Sequence, residues 1–571
     1  MRRGGRAAAP KLLECAPISC GRLPMSTDVA RRGPVELRWP SLALLVLALL
    51  GCNRGLWTPD EPREAEISRE MARAPSVIPT LNGQRFIEKP PLYYWTVAAV
   101  YRLTGGPSVL GARAVSVAAS LATVALLYAW ASAAHSRAVG ALCALMLASS
   151  LQFMISSHWV LIDPLLMLAT TVAAWAAWEL LARRDSAALR FGLYGSLVLA
   201  LWIKGPIGPI LVGAGLALYV LIDRPVHWRR LHPILGISVL ALALLLLGLA
   251  IAQQGGSTAL WEWAYVNQWQ RLLNPGITGH RQPLLYYGWT LPLAVLPWLM
   301  PLIEALRPAH WRRLHGHALT SVSDPARYGA LMCAAMLVVL SLSATKRETY
   351  LLPLLPLLFL WLGIRSYEWW QHWQLRTDRH MGALWWLQAS LLCLWALAAP
   401  LAGWIWLKAL NPWILAVLSL SLIAAGALLY TTVAAQRVRA ASAALICAYV
   451  GAAATLVLAP PLLNSAKDMG PFVSWIGRQL PAGQPVYATG VDETLAAEIP
   501  FYTGRNVVPL DPRLLQPSAA MNSLPQWLLV QDKHDGRAAA PAPQYVLVAS
   551  QVFGSQRALQ LWRRVAAAAA P

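Results

Sequence analysis

Apolar runs of roughly 17–25 residues recur along most of this chain, each long enough to cross a ~30 Å hydrocarbon core as a helix. Thirteen are read, near residues 40–56, 111–134, 139–157, 161–182, 188–203, 206–222, 232–252, 285–304, 328–344, 350–366, 382–407, 412–434 and 440–460. Two polar-rich segments interrupt them. In residues 57–110, "WTPDEPREAEISREM" has the mixed helical periodicity of an amphipathic helix lying along the interface. Its Glu64, Glu66 and Glu70 are read as solvated, with a Glu66–Arg69 pair at i, i+3. A second helix is expected after Pro90-Pro91, from Leu92 to Leu103, with Tyr93, Tyr94, Trp95 and Tyr101 suited to the headgroup belt. Residues 253–285, broken at Gly255-Gly256 and Asn274-Pro275-Gly276, read as a loop with one short helix.

From about residue 463 the pattern becomes that of a small α/β module. "PVYATG", "NVVPL", "QWLLVQD" and "QYVLVA" read as strands, "DETLAAEIPFYTG" as a helix ending at Gly504, and Ala566–Ala570 as a frayed tail. The fold expected is an all-α polytopic membrane protein of about thirteen transmembrane helices with a small C-terminal α/β domain. Its parts are an N-terminal tail (1–39), a transmembrane domain (40–462) with external loops 57–110 and 253–285, and the α/β domain (463–571).

Composition agrees. A mean hydropathy of +0.48 with 13% charged residues and 28 tryptophans excludes a soluble globular protein, whose surface needs about a quarter charged residues. The formal charge of +21 does not make a nucleic-acid binder, because the arginines fall in alternate loops. Arg31, Arg32 and Arg38, then Arg137, Arg183–Arg184, Arg229–Arg230, Arg312–Arg313, Arg376–Arg379 and Arg437–Arg439, follow the positive-inside rule. The N-terminus is therefore expected in the cytoplasm, the C-terminal domain in the periplasm, and membrane lipids rather than nucleic acid around the chain. The external segments contain none of the seven cysteines, so no disulfide framework is implied. Leu49-Leu50-Gly51-Cys52 resembles a lipoprotein cleavage box but is read as part of an uncleaved first span. Met25 is an alternative start to Met1.

The charges on the outer side are not explained by topology. Five of the 26 acidic residues, Asp60, Glu61, Glu64, Glu66 and Glu70, fall within eleven positions at a span exit. Unpartnered polar groups at membrane depth cost several kcal/mol, so these acids should be hydrated, paired or bound to a cation. Asp60 and Glu61, held between Pro59 and Pro62, are the functional candidates, and Glu88 and Lys89 precede a double proline. Basic groups accumulate on the same rim: Lys204 in "WIKGPIGPIL", Lys346 and Arg347 in "SATKRETYLLP" with Tyr350 after them, and Arg271 and Arg281 beside His280. Lys89, Arg271 and Tyr350 together suit a phosphate, although single Lys or Arg residues also snorkel to headgroups. Asp163, before Pro164, reads equally as a site carboxylate or as a helix cap.

"TPDEPREAEISREM…NGQRFIEKPPLYYW", with "IDPLL", "WIKGPIGPIL", "NQWQRLL…HRQPLLYY" and "KRETYLLPLLP", resembles the bacterial lipid-phosphate-dependent glycosyltransferases. These are the lipid A aminoarabinose transferases and their relatives, akin to protein O-mannosyltransferases, within the C-type glycosyltransferase superfold. The resemblance implies an enzyme moving a sugar from a polyprenyl (undecaprenyl) phosphate donor to lipid A or to another envelope glycan or protein. It implies Asp60 as the leading catalytic carboxylate with Asp163 supporting, and Lys89, Arg271 and Tyr350, joined by Lys204 and Lys346, at the donor phosphate. It also implies that Glu88 helps ligate a divalent metal or orients the acceptor, with His280 the only local imidazole. From another class stands a transporter or flippase of a polyprenyl-linked or amphiphilic solute, which predicts charges spread through the membrane depth. A membrane scaffold presenting the C-terminal domain predicts an Asp60–Lys89 loop tolerant of substitution.

Overall fold

The computed structural model describes residues 54–57, 60–270, 281–307, 324–375, 467–511, 524–532, 544–553 and 557–565, with isolated positions between them. The spans expected at 40–56, 382–407, 412–434 and 440–460 lie outside the described residues, apart from isolated positions.

The chain is mostly helical. After α1 (Asp60–Arg73), a two-stranded hairpin of β1 (Thr80–Leu81) and β2 (Gln84–Arg85) leads to α2 (Leu92–Leu103). The bundle follows as α3 (Val109–Ala134), α4 (Arg137–Ser149), α5 (Leu151–Ser157), α6 (Asp163–Ala182), α7 (Ala187–Lys204), α8 (Ile207–Asp223), α9 (Pro233–Trp261), α10 (Tyr286–Ala294), α11 (Leu299–Ala305), α12 (Pro325–Leu342), a 3₁₀ turn (Glu348–Leu354) and α13 (Leu355–Leu375). Among the described residues, six helices are long and apolar enough to cross a membrane, or seven if the α4–α5 pair, bent by 68°, is one span.

Local chemistry fixes the helix ends. Ser108, Ser136 and Asp324 accept backbone N–H bonds at the starts of α3, α4 and α12, and Gly205, at φ 78°, ends α7. The expected run 285–304 divides into α10 and α11 at Pro297, which continues neither helix. The expected loop at 253–285 is instead helical as far as Gln270, first as α9 and then as a π-helical stretch. Gly256, at φ 75°, only kinks it.

Trp130, Trp178 and Tyr219 converge on the ring of Tyr328, binding α3, α6, α8 and α12 into one core. Conversely α9 turns Ile234, Ile237, Leu245 and Leu249 outward, the face a lipid-exposed helix needs.

The C-terminal module is an α/β layer of α14 (Gly470–Gln479), β3 (Val486–Thr489), α15 (Glu493–Thr503), β4 (Val507–Pro509), β5 (Trp527–Asp532), β6 (Tyr545–Phe553) and β7 (Arg557–Arg564). Its sheet order is β4-β3-β5-β7-β6. β3 is parallel to both β4 and β5, whereas β7 is antiparallel to β5 and β6. Gly504 ends α15 in the left-handed conformation, as expected. The module docks on the segment before α3. The Asn82 side chain donates to the Val507 carbonyl (2.8 Å) and accepts from its N–H (2.9 Å), while the Trp57 indole donates to Asn464 (3.0 Å). At Gly55 any Cβ would collide with the Asp468 carboxylate, so glycine there allows the close approach.

This docking corrects the reading of α1. The helix forms with the expected Glu66–Arg69 pair, at 2.6 Å, but it is not a solvated interfacial helix. Glu64 and Glu66 are buried, packed in by α2 and α15.

Candidate active site

Asp60, the first residue of α1, is 4% exposed. Its carboxylate accepts from both Nη atoms of Arg347, on the turn between α12 and the 3₁₀ segment, and from Arg63 Nη2 at 3.1 Å. The start of α1 and the residue 343–354 segment thus share one rim of the bundle. Burial by itself lowers the Arg347 pKa, but hydrogen bonding to and attraction by Asp60 carry it above its ordinary value. For Arg63 the Glu64 and Asp60 carboxylates likewise outweigh burial. Both guanidiniums are fixed cations at any working pH.

A second acid–base pair stands beside the first. Asp163, at the start of α6, accepts from Lys204 Nζ, at the end of α7, at 2.5 Å. Lys204 also lies 4.3 Å from the centre of the Tyr350 ring, and the Tyr350 N–H donates to the Arg347 carbonyl at 3.2 Å. Asp60, Arg347, Tyr350, Lys204 and Asp163 therefore form one continuous polar group. Each carboxylate faces a cation, and each cation comes from a different element than its carboxylate.

Other expected residues fall elsewhere. Glu61, expected to act with Asp60, is fully buried and saturated. It accepts from the Arg54 and Arg113 guanidiniums and from the N–H groups of Trp57 (2.8 Å) and Val160 (3.0 Å). Burial alone raises its pKa, but Arg113 and Arg54 together bring it below the ordinary carboxylate value. With no lone pair open to a substrate, Glu61 is a structural anchor. The helix turn explains this, because adjacent residues project about 100° apart.

Lys346, expected at the donor phosphate, turns away from Asp60. Its ammonium donates to the backbone carbonyls of Ser343 (2.6 Å) and Gln282 (3.2 Å), pinning the rim loops together. Its neighbour Arg347 takes the position on Asp60. Glu88 and Lys89 occupy the half-buried turn before α2. Glu88 lies near Tyr94, whose phenol pKa is raised by burial, then by Glu64, with a smaller contribution from Glu88. Arg271 and His280 lie outside the described residues. Among the described residues no group of three or more His, Cys, Asp or Glu side chains is placed to hold a metal ion. Asp60 and Glu64 are engaged by guanidiniums, so the described donors do not make a metal cage.

Two residues extend the expected set. Arg347 was visible only as half of a Lys-Arg doublet. Arg63, three residues after Asp60 on the same helix face, links Asp60 to Glu493 of α15 at 2.9 Å.

Residues 50–261 match the family described as dolichyl-phosphate-mannose-protein mannosyltransferase. An undecaprenyl phosphate-alpha-4-amino-4-deoxy-L-arabinose arabinosyl transferase from Pseudomonas aeruginosa is 31% identical over 349 residues, 58% of this chain and 59% of that protein. The protein of the same description from Edwardsiella ictaluri is 32% identical over 345 residues, 57% of this chain and 59% of that protein. The chain thus spans about three fifths of the length of these curated relatives. The crystal structure of ArnT from Cupriavidus metallidurans bound to undecaprenyl phosphate superposes with a TM-score of 0.69, covering 94% of this chain and 99% of that one at 19% identity, a likeness of fold. By sequence the membrane part is similar to lipid-phosphate-sugar glycosyltransferases, and by structure the chain has their C-type fold.

Proposed function

We propose that this chain is an integral-membrane glycosyltransferase. It moves a sugar from a polyprenyl (undecaprenyl) phosphate donor to a periplasmic-side acceptor, lipid A or another envelope glycan or protein. The carrying observation is the paired rim, in which Asp60 meets Arg347 and Asp163 meets Lys204. In this reading the chain lies in the bacterial inner membrane with thirteen spans in residues 40–462, a cytoplasmic tail at 1–39, and residues 463–571 in the periplasm.

The chemistry follows from the charges. The bond between the sugar's anomeric carbon and the phosphate oxygen breaks, and the electron pair leaves with the polyprenyl phosphate. A bond from the acceptor oxygen to the anomeric carbon forms. Cations held in a water-poor rim stabilise the charge growing on the leaving phosphate, and Arg347 and Lys204 are the groups for this, joined by Lys89, Arg271 and Tyr350. Asp60 orients the acceptor oxygen and takes its proton when that oxygen is a hydroxyl; an acceptor phosphate is already anionic and needs orientation alone. Asp163 holds Lys204 in place. A divalent cation on Glu88 and His280 would supply further positive charge at the phosphate, and no step above depends on it.

Sugar transfer from a polyprenyl-phosphate donor, measured for the native chain and for Asp60→Asn at matched folded protein, tests this reading. Loss in the variant with donor binding retained supports it. Native transfer by Asp60→Asn refutes the role given to Asp60, whereas no transfer by the native chain, or solute movement without transfer, refutes the transferase reading in favour of a scaffold or a transporter.

A further inference from the structure

The C-terminal module carries a second polar site. β3 leads through α15 to β4 on one side, while β5, also parallel to β3, lies on the other. The carboxyl ends of β3 and β5 therefore flank a topological switch point, where open α/β sheets bind ligands. The backbones are brought close there. Gly490, at φ 70°, follows β3, and a Cβ on it would lie 2.5 Å from the Gln531 carbonyl oxygen at the end of β5.

Three side chains meet at this point. Asp492 caps α15, accepting from the Leu495 N–H at 3.0 Å. Its Oδ2 also accepts from Arg557 Nη2 (2.7 Å), at the start of β7, and from Gln531 Nε2 (3.1 Å). The set is incomplete as it stands. Gln531 is 94% buried, being 6% exposed, yet among the described residues its Oε1 has no hydrogen-bond partner, and neither does the buried Arg557 Nη1. Buried polar atoms without partners are few in native proteins and call for an explanation. Here one donor and one acceptor are left over on two residues that both bond Asp492 Oδ2. The Asp492 and Arg557 side chains are each 21% exposed, so the set reaches solvent.

We propose that this switch point binds neighbouring hydroxyls of a pyranose sugar. Asp492 and Arg557 cancel in charge, which favours neither an anion nor a cation. An anion would face the Gln531 oxygen and the Asp492 carboxylate, and a cation would face the guanidinium. A hydroxyl both donates and accepts, so one sugar hydroxyl donating to Gln531 Oε1 and its neighbour accepting from Arg557 Nη1 complete the set. Glu493 adjoins Asp492 and pairs with Arg63, which holds Asp60. The bound sugar therefore sits one residue from the link to the transfer site and is a unit of the acceptor's glycan. That last identification rests on the transferase reading; the binding site does not.

The test uses the full chain in detergent and the neutral disaccharide N,N′-diacetylchitobiose as probe, with binding followed by saturation-transfer NMR at millimolar sugar. The native chain and Asp60→Asn should bind alike, and Gln531→Met should bind about tenfold more weakly, as expected for lost hydrogen bonds, with an unchanged melting temperature. Gln531→Glu restores an acceptor but adds charge, and should not recover native affinity. No binding by the native chain, equal binding by Gln531→Met, or displacement of the sugar by inorganic phosphate overturns the proposal. If the native chain and Asp60→Asn bind sugar while the native chain transfers none, the transferase reading fails and this site stands.

Discussion

Adjacent carboxylates at the start of α1 should respond to the same substitution in opposite ways. Glu61→Gln removes the carboxylate charge that Arg54 and Arg113 share, and the Arg113 side chain, like that of Glu61, has no exposure at all. Truncating one partner of a buried ion pair costs about 3–5 kcal/mol, because a desolvated charge is left behind. The expected fall in melting temperature is roughly 6–20 °C on the usual scaling for large domains. Asp60→Asn is milder. Arg63 keeps Glu64 and Glu493, and the Arg347 side chain, 27% exposed, turns to water, so the loss is about 1 kcal/mol. Transfer should instead fall by about 10²–10⁴, the usual contribution of a positioned acid or base. Fluorescence-detected size exclusion after heating reads the first effect, and transfer per folded molecule reads the second. A Glu61→Gln chain that melts like the native one but transfers no sugar would contradict the assignment of Glu61 as an anchor.

Other consequences follow from the same geometry. Arg347→Lys keeps the charge but loses the two-pronged hold on Asp60, so kcat should drop at least tenfold while Lys346→Met, which removes bonds to backbone carbonyls, mainly lowers thermal stability; the reverse order would return Lys346 to the phosphate. Glu498, fully buried in α15 and with neither carboxyl oxygen bonded among the described residues, has its pKa pushed well up by burial and then by Asp468. A carboxyl whose folded pKa is raised stabilises the fold fully below its unfolded pKa of about 4.5 and loses that contribution as pH rises. Melting temperatures of the native chain and Glu498→Gln should therefore diverge from pH 4.5 upward, with the variant becoming relatively more stable, and parallel curves would refute the burial of a proton there. Chelation should raise the donor KM without abolishing transfer, since Arg347 and Lys204 remain. Complete loss reversed by added divalent metal would shift the neutralising role to the cation.

The parts of the fold legible from sequence were those with a strong local signal. Pro90-Pro91 marks the start of Leu92–Leu103, the long apolar runs give α3, α6 and α7, and Gly504 stops α15. Where the outcome depends on tertiary partners, sequence pattern misled. The acids of α1 look solvated in isolation, because nothing local reveals that a module some 430 residues later covers them. β7, "RALQLWRR", was missed because its charged ends mask a strand buried on both sides by β5 and β6. At the site, the charge types and the rim were readable, but not which member of each doublet faces inward. Asp60 against Glu61, and Arg347 against Lys346, are decided by a rotation of about 100° per residue on a helix or by the path of a loop.

The rim's charge balance suggests how donor binding prepares the chemistry. Asp60 and Asp163 are each engaged by a cation from another element, so the group is close to neutral and stays folded without a phosphate. An incoming phosphate competes with these carboxylates for Arg347 and Lys204, offering more oxygens to a guanidinium and an ammonium. As the cations shift toward it, Asp60 loses hydrogen-bond donors and becomes a better acceptor for the substrate's hydroxyl proton. Activation of the carboxylate is then coupled to the arrival of the group that must leave. The coupling is measurable, since donor binding should raise the apparent acidic limb of the transfer rate's pH profile in the native chain. With Arg347→Met, which removes the Arg347 bonds to Asp60 beforehand, that limb should not move between low and saturating donor.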